Sequence, residues 1–404
     1  MPNEAPILNP KQNEYIRNAN ARWNFKTGAV RSGKSFCDVA FVILSRLRAV
    51  KEYPGLNAIL GVSQETIESN VLQPMREIYT SSVVGTINSR NVAMVAGVPV
   101  YCLGAEKVSQ VSKLQGKSLK YCYGDEVAKW SEEVFTMLKS RLDKPYSKFD
   151  GSCNPEGKLH WLKQFIDDER FDIYVQKYTI FDNPALDPGF VKNICTEYSG
   201  SVYYDRFILG NWVNAEGLVY PMFDEAKHVS TQEFDFTSAY YVSCDYGTQN
   251  PTVFLLWHKI QDGRWLCEKE YYYSGRKEVK QKTDEEYCDD LLNFLDGIRP
   301  NAMIIDPSAA SFIEAVQRRG IVVLKAKNAV IDGIRFTGGC INTQRILFRP
   351  CCKNTIQEFS VYSWNPDTEE DQVIKENDHC MDALRYFCYT HLALSKVGTS
   401  NLRR

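Results

Sequence analysis

The sequence has 404 residues, 44% apolar and 24% charged, a globular composition that excludes a disordered, collagenous or coiled-coil chain. Forty-eight basic residues against fifty acidic ones give a net charge of −2, which excludes a protein that binds nucleic acid by overall cationic charge. At about 150 residues per domain the length predicts two or three domains, and no stretch is apolar for the ~18 residues that a membrane span needs. The N-terminal MPNEAPILNPKQNEY has neither the basic start nor the apolar core of a secretory signal, so a cytosolic protein is expected. The thirteen cysteines include no CxxC pair and are expected to be reduced and mostly buried.

In chain order, a short strand over 22–29 leads into a helix over 35–50, a strand over 57–62 and a helix over 64–79. A hairpin follows over 91–103, turning at Gly97-Val98-Pro99, then a strand over 120–124. Strands alternating with helices predict a parallel-rich α/β sheet for residues 1–211. Residues 212–236 keep no period and read as a linker. Beyond it come strands over 240–244, 252–258 and 265–273, a helix over 284–295, a strand over 302–305, a helix over 308–319, strands over 321–324 and 345–348, and a last helix over 378–394. Three antiparallel strands followed by βα units is the order of a ribonuclease-H-like mixed sheet, predicted for residues 237–404.

Gly28-Ala29-Val30-Arg31-Ser32-Gly33-Lys34-Ser35 fits the P-loop pattern G-x-x-x-x-G-K-[ST] between a predicted strand and a predicted helix. Its glycines let backbone N–H groups curl around phosphates, Lys34 reaches the β- and γ-phosphates, and Ser35 ligates Mg²⁺ of bound ATP. The strand Tyr121-Cys122-Tyr123-Gly124 ends in Asp125 and Glu126. Asp125 is expected to hold the Mg²⁺ through water and Glu126 to act as general base for hydrolysis, although an Asp-Glu pair is also an ordinary helix start. Ser152 and Asn154, in Ser152-Cys153-Asn154-Pro155, suit γ-phosphate sensing, and Gln12 is a candidate reader of the adenine edge.

Asp245 closes the strand Tyr241–Cys244 and Asp306 closes Met303–Ile305, while His379 and Asp382 share a helix face. Singly each aspartate reads as a cap or turn residue. Together, at these ends of these elements, they predict a nuclease site holding two Mg²⁺ or Mn²⁺ ions. Arg318 to Lys353 carries eight basic residues and one acid, Asp332, a candidate face for a DNA backbone.

With GAVRSGKS, YGDE, SCNP, FDNPAL at 181–186, LGNWVNAEGLVYPMFD from Leu209, SCDYG, IIDPSA and HCMDALRY in this order, the chain resembles the large subunit of tailed-phage DNA-packaging terminases, most like the PBSX-type branch. The resemblance implies an ASCE-type P-loop ATPase that pumps double-stranded DNA into a procapsid, joined to a nuclease that cuts concatemers. It implies that Lys34, Ser35, Asp125 and Glu126 form the hydrolytic centre, with Gly28, Ser32 and Gly33 cradling the nucleotide and Ser152 to Asn154 as a coupling motif. Arg31 would stabilise the transition state in cis. Asp245, Asp306 and Asp382 match the nuclease carboxylates, with His379 as a helper. A small terminase subunit, the portal protein and a homo-oligomeric ring, pentameric by resemblance, are the implied partners, with no membrane. The implied location is the cytoplasm of the infected host, with transient docking on the procapsid.

Three other readings are carried alongside. An ATP-dependent repair nuclease or helicase also joins a motor to a cutter but calls for a second RecA-like domain. A small-molecule P-loop kinase gives Glu126 no role. A scaffold holding nucleotide only structurally predicts no turnover.

Overall fold

A computed structural model of the chain describes residues 7–393 apart from 248, 249, 276, 277, 279, 367, 369 and 370. Position 394, the end of the predicted last helix, lies outside the described residues. The chain divides into two units, Met1–Val191 with Tyr204–Asn214, and Lys192–Tyr203 with Ala215–Arg404.

The first unit is built on a seven-stranded sheet of β1 (Trp23–Gly28), β2 (Leu56–Gly61), β3 (Val92–Val95), β4 (Val98–Gly104), β5 (Leu119–Gly124), β6 (Lys148–Cys153) and β7 (Ile173–Tyr178), in the order β3-β4-β2-β5-β6-β1-β7. Every pairing is parallel except β3 with β4. The β3–β4 turn falls at Ala96-Gly97, both at positive φ (50° and 76°), and not at the expected Gly-Val-Pro. Two left-handed residues make the tight primed turn whose twist matches the strands, so Pro99 sits inside β4.

All six residues of β1 are buried, as a central parallel strand requires. Trp23 and Phe25 pack on Phe135, Phe149 and Phe165 on one face. On the other face the Lys26 ammonium lies 2.6 Å from Asp38 and 3.2 Å from the centre of the Tyr15 ring, with neither charged side chain exposed. A lysine this deep is tolerated only with such a partner, and losing one member of a buried pair costs about 3–5 kcal/mol. Asp38 opens a widened π-type turn, Asp38–Val42, inside the helix that starts at Lys34 and runs to Ala49.

The second unit carries a six-stranded mixed sheet: β8 (Phe236–Asp245), β9 (Thr252–Ile260), β10 (Trp265–Tyr273), β11 (Ala302–Ile305), β12 (Val323–Lys325) and β13 (Ile346–Phe348), ordered β12-β11-β8-β9-β10-β13. The first three run antiparallel, β11 and β12 run parallel to β8, and β13 runs parallel to β10. This is the ribonuclease-H-like order that the sequence predicts. The helix His379–Tyr386, continued by Phe387–Leu392, lies on the sheet with Phe387 stacked on Trp257 at 4.2 Å.

Segment 212–236 is packed structure and not a free linker. Trp212 is buried and donates to Thr27 Oγ1 at 3.0 Å in the first unit. In the second, Tyr220 is buried, Phe223 stacks on Phe359 at 3.8 Å, and His228 bonds the Ile341 carbonyl at 3.0 Å. Aromatic side chains supply the apolar area that a period-based reading overlooks. Residues 192–203, assigned by sequence to the first domain, group with the second, where Asn342 donates to the carbonyls of Glu197 and Ser199.

Candidate functional site

The C-terminal ends of β1, β5 and β6 converge, since Thr27 pairs with Cys153 and Gly124 with Gly151. Gly28 leaves β1 at φ 145°, and a Cβ there would stand 2.0 Å from the Tyr178 carbonyl oxygen, so only glycine lets the chain turn. Arg31 and Gly33 also take left-handed φ values, 55° and 85°. The Arg31 carbonyl accepts from Asn183, in the FDNPAL stretch, at 2.7 Å, and its side chain is exposed. Ser32 is buried with its hydroxyl on the Ala29 carbonyl, and Ser35 is partly exposed in the first turn of the helix.

Lys34 is buried, and its ammonium donates to the carbonyls of Gly28 (2.9 Å) and Ala29 (2.6 Å) and to Asn154 Oδ1 (2.9 Å). Burial pushes its pKa down to about 8 against the raising charges of Asp125 and Glu126. Asp125, also buried, accepts from Ser152 Oγ and from Asn70 Nδ2, both at 3.3 Å. Burial pushes its carboxyl up to about 6, with those hydrogen bonds opposing and the Glu126 charge adding. Glu126 itself is held at φ 51°, an uncommon conformation for glutamate that turns the chain sharply at the strand end. The P-loop, Asp125, Glu126, Ser152 and Asn154 therefore form one site.

Gln12 is buried beside the P-loop. Its amide accepts from the Asn9 N–H and donates to the Gly33 carbonyl, both at 2.9 Å, tying the helix Pro10–Asn18 to the P-loop. Sequence reasoning missed Asn70, and it missed a buried polar chain behind the site. Ser152 Oγ lies 3.4 Å from the Tyr123 hydroxyl, which donates to Asp38 at 3.3 Å, and Asp38 meets Lys26. A lysine inside a strand that reads as apolar was the signal for it. The residues fit a magnesium nucleotide: a glycine cradle, one buried ammonium, a hydroxyl and a buried carboxylate.

In the second unit Asp245 ends β8, and its carboxylate lies 2.9 Å from His379 Nδ1. Burial raises its pKa, the His379 hydrogen bond opposes, and the charge of Asp382 raises it further. Burial acts to lower His379, but the bond and charge of Asp245 outweigh it and raise the imidazole. Asp306 follows β11 and accepts from the Ser308 N–H (2.7 Å) and the Tyr386 hydroxyl (3.0 Å). Burial acts to raise it, and these bonds hold it below the usual range. Asp382 is held by Arg385 Nη2 at 2.8 Å, with Lys375 at 3.6 Å. Tyr386 feels the charge of all three aspartates after the effect of its own burial.

The three aspartates thus gather around Tyr386 but do not meet at one point. Among the described residues no group of three His, Cys, Asp or Glu side chains is placed to hold a metal ion. Asp306 is instead satisfied by Ser308 and Tyr386, and Asp382 by Arg385 and Lys375. In chemistry the donors fit hard divalent cations: oxygen ligands, one of them raised by burial and like charge.

Sequence reasoning also missed Glu358, on the helix Lys353–Phe359. Its buried carboxylate accepts from the N–H groups of Cys380 (2.8 Å) and Met381 (3.2 Å), capping the helix that carries His379 and Asp382. Burial raises its pKa to about 7. The cysteines take no part: eleven of the thirteen are buried, and all are free.

Fold and site together define a P-loop ATPase fold followed by a ribonuclease-H-like domain. The family model for the terminase large subunit, T4likevirus-type, N-terminal, matches residues 27–227. The large terminase of a thermophilic bacteriophage is 35% identical, with 96% of this chain and all of that chain aligned and a TM-score of 0.81, and that protein has also been solved with ADP and with ATP-gamma-S. The large terminase subunit of Escherichia phage T5 is 23% identical over 70% of this chain and 68% of its own length, and the PBSX phage terminase large subunit of Bacillus subtilis is 19% identical over 94% and 93%. The chain belongs to the large-subunit family of tailed-phage terminases, the proteins that package phage DNA. Neither a repair helicase nor a small-molecule kinase finds support in these matches.

Proposed function

We propose that the first unit hydrolyses ATP to drive double-stranded DNA into a procapsid and that the second cuts the concatemer. The observation that carries the reading is the meeting of Lys34, Asp125, Glu126 and the Ser152–Asn154 segment at one end of a parallel sheet, in a relative of a protein solved with two adenine nucleotides. Lys34 and the P-loop N–H groups bind and orient the polyphosphate, Ser35 and Asp125 would hold Mg²⁺, and Glu126 takes the proton of the attacking water. Arg31, exposed beside the loop, stabilises the charge that develops on the γ-phosphate.

Asp245, Asp306 and Asp382 would hold two Mg²⁺ or Mn²⁺ ions, which supply charge stabilisation for phosphodiester cleavage. His379 orients Asp245, and Arg385 and Lys375 balance Asp382. The portal protein, a small terminase subunit and a ring of like subunits are the partners that this work needs, in the cytoplasm of an infected host and on the procapsid. No helix among the described residues is long and apolar enough to cross a membrane.

The test is ATP turnover with and without duplex DNA. Stimulation by DNA is expected, with Lys34→Ala and Glu126→Gln each lowering turnover by about a hundredfold or more. Wild-type turnover in Glu126→Gln would overturn the assignment of the base.

A further inference from the structure

Of the eight basic residues from Arg318 to Lys353, the second unit commits five. Arg318 pairs with Glu314, Arg319 with Glu285 and Asp289, and Arg335 with Asp332. Arg349 donates to the carbonyls of Ser230 and Gln232, and Arg345, half-buried, donates to Cys340 Sγ at 3.9 Å. Lys325, Lys327 and Lys353 are exposed, and among the described residues none has a carboxylate at ion-pair distance. Lys353 opens the helix Lys353–Phe359, whose next residues Asn354 and Thr355 bond Glu270 on β10, three strands from β11 and four from β12 in the sheet order.

Lys325 and Lys327 stand elsewhere. Lys325 is the last residue of β12 and pairs with Ile305, the residue before Asp306, and the pairing is parallel, so both strands end at the same side. The turn that follows is pinned at three successive residues. The Ala326 N–H donates to the Ile305 carbonyl (2.8 Å) and the Lys327 N–H to Thr390 Oγ1 (3.0 Å). The Asn328 carbonyl accepts from Arg385 Nη1 (3.4 Å), and its side chain hydrogen-bonds Asp306. Arg385 is the same guanidinium that holds Asp382. The backbone carrying both lysines is therefore fastened to the strand of Asp306 and to the helix of Asp382, while both ammonium groups face solvent, that of Lys327 at 5.5 Å from the Tyr389 ring centre.

An acidic site that acts on a polyanion needs cations beside it, and point charges on a fixed backbone suit contacts that carry no sequence information. We propose that Lys325 and Lys327 form a seat for the phosphodiester backbone of duplex DNA beside Asp306, delivering the strand to the carboxylates. This rests on the nuclease reading of the second unit. The two lysines contact phosphates on either side of the strand to be cut and take no part in bond cleavage.

The experiment uses the full chain and a blunt duplex oligonucleotide, with binding followed by fluorescence anisotropy across a salt series without divalent metal. Each phosphate contact contributes about 0.9 to the slope of log Kobs against log salt, so Lys325→Gln with Lys327→Gln should flatten it by about 1.8. The double Lys→Arg variant should restore the slope, and Lys353→Gln should leave it unchanged. With Mn²⁺ and plasmid, the glutamine pair should raise KM several-fold and hold kcat within about twofold. An unchanged slope, or an equal loss in Lys353→Gln, overturns the seat. If the wild type cuts no plasmid while the slope falls as expected, the seat stands and the nuclease reading fails. Cutting with an unchanged slope has the opposite meaning.

Discussion

Lys34 Nζ lies 2.9 Å from Asn154 Oδ1, so the lysine of the P-loop is hydrogen-bonded to the segment that closes β6. With the Gly28 and Ala29 carbonyls it completes the three acceptors that an ammonium can use. A phosphate can take the lysine only by displacing one of these partners, and Asn154 is the only side chain among them. A nucleotide bound there would act directly on the Ser152–Asn154 segment, whose Ser152 also touches Asp125.

The same burial sets a pH dependence. The Lys34 pKa is pushed down to about 8, and a bound polyphosphate stabilises the charged form and raises it. Below pH 8 the lysine is charged before and after binding, and no proton moves. Above pH 8 binding takes up a proton, so ATP affinity should fall by up to tenfold per pH unit. Titration calorimetry at pH 9 in two buffers of different ionisation enthalpy should give different heats, and Lys34→Arg should make them equal. Equal heats for the wild type would show that Lys34 is charged at pH 9 in the free protein.

Glu358 gives a prediction on stability. Its folded pKa, raised to about 7 from an ordinary 4.5, means that the fold disfavours the ionised form. The stability tied to its neutral form is fully present below about pH 4.5 and lost as pH rises through 7. Glu358→Gln keeps an acceptor for the Cys380 and Met381 N–H groups without the charge, so its melting temperature relative to wild type should be higher at pH 8 than at pH 5. Glu358→Ala leaves both N–H groups unpaired and should cost about 1–3 kcal/mol at either pH. A gap between wild type and glutamine variant that is identical at pH 5 and pH 8 would contradict the raised pKa.

The sequence makes the P-loop legible because its conformation is local: the pattern needs glycines at fixed spacing, and Gly28 and Gly33 take the positive φ values that it implies. Strand-end aspartates were legible for the same reason. What stays hidden depends on distant partners. The helix Val330–Asn342 contains Gly333, Gly338 and Gly339, a poor local helix former that tertiary packing overrides. A Cβ on Gly333 would stand 2.7 Å from Arg385 Cγ, so the glycine serves a close approach to the arginine that holds Asp382. Glu358 caps a helix more than twenty residues further on, and Lys26 needs Asp38 from the helix that follows the P-loop. No spacing rule reports either relation.

Asp245→Asn separates the two meanings of a strand-end carboxylate. The substitution keeps the side-chain oxygen that can accept from His379 Nδ1 and removes a charge that burial and Asp382 already disfavour. It also removes the negative partner that raises His379, so the imidazole should titrate nearer its ordinary value, which NMR can follow. In the metal-free protein the lost repulsion offsets the lost ion pair, and melting temperature should hold or rise slightly while ATP turnover is unchanged. Divalent-metal-dependent plasmid cleavage should disappear, because a neutral amide is a poor ligand for a hard cation and the site loses a charge that it needs. If Asp245 only capped its strand, the variant would lose about 1–3 kcal/mol of stability and whatever folded would still cut. A protein that melts several degrees lower yet cleaves plasmid at the wild-type rate would remove Asp245 from the nuclease site.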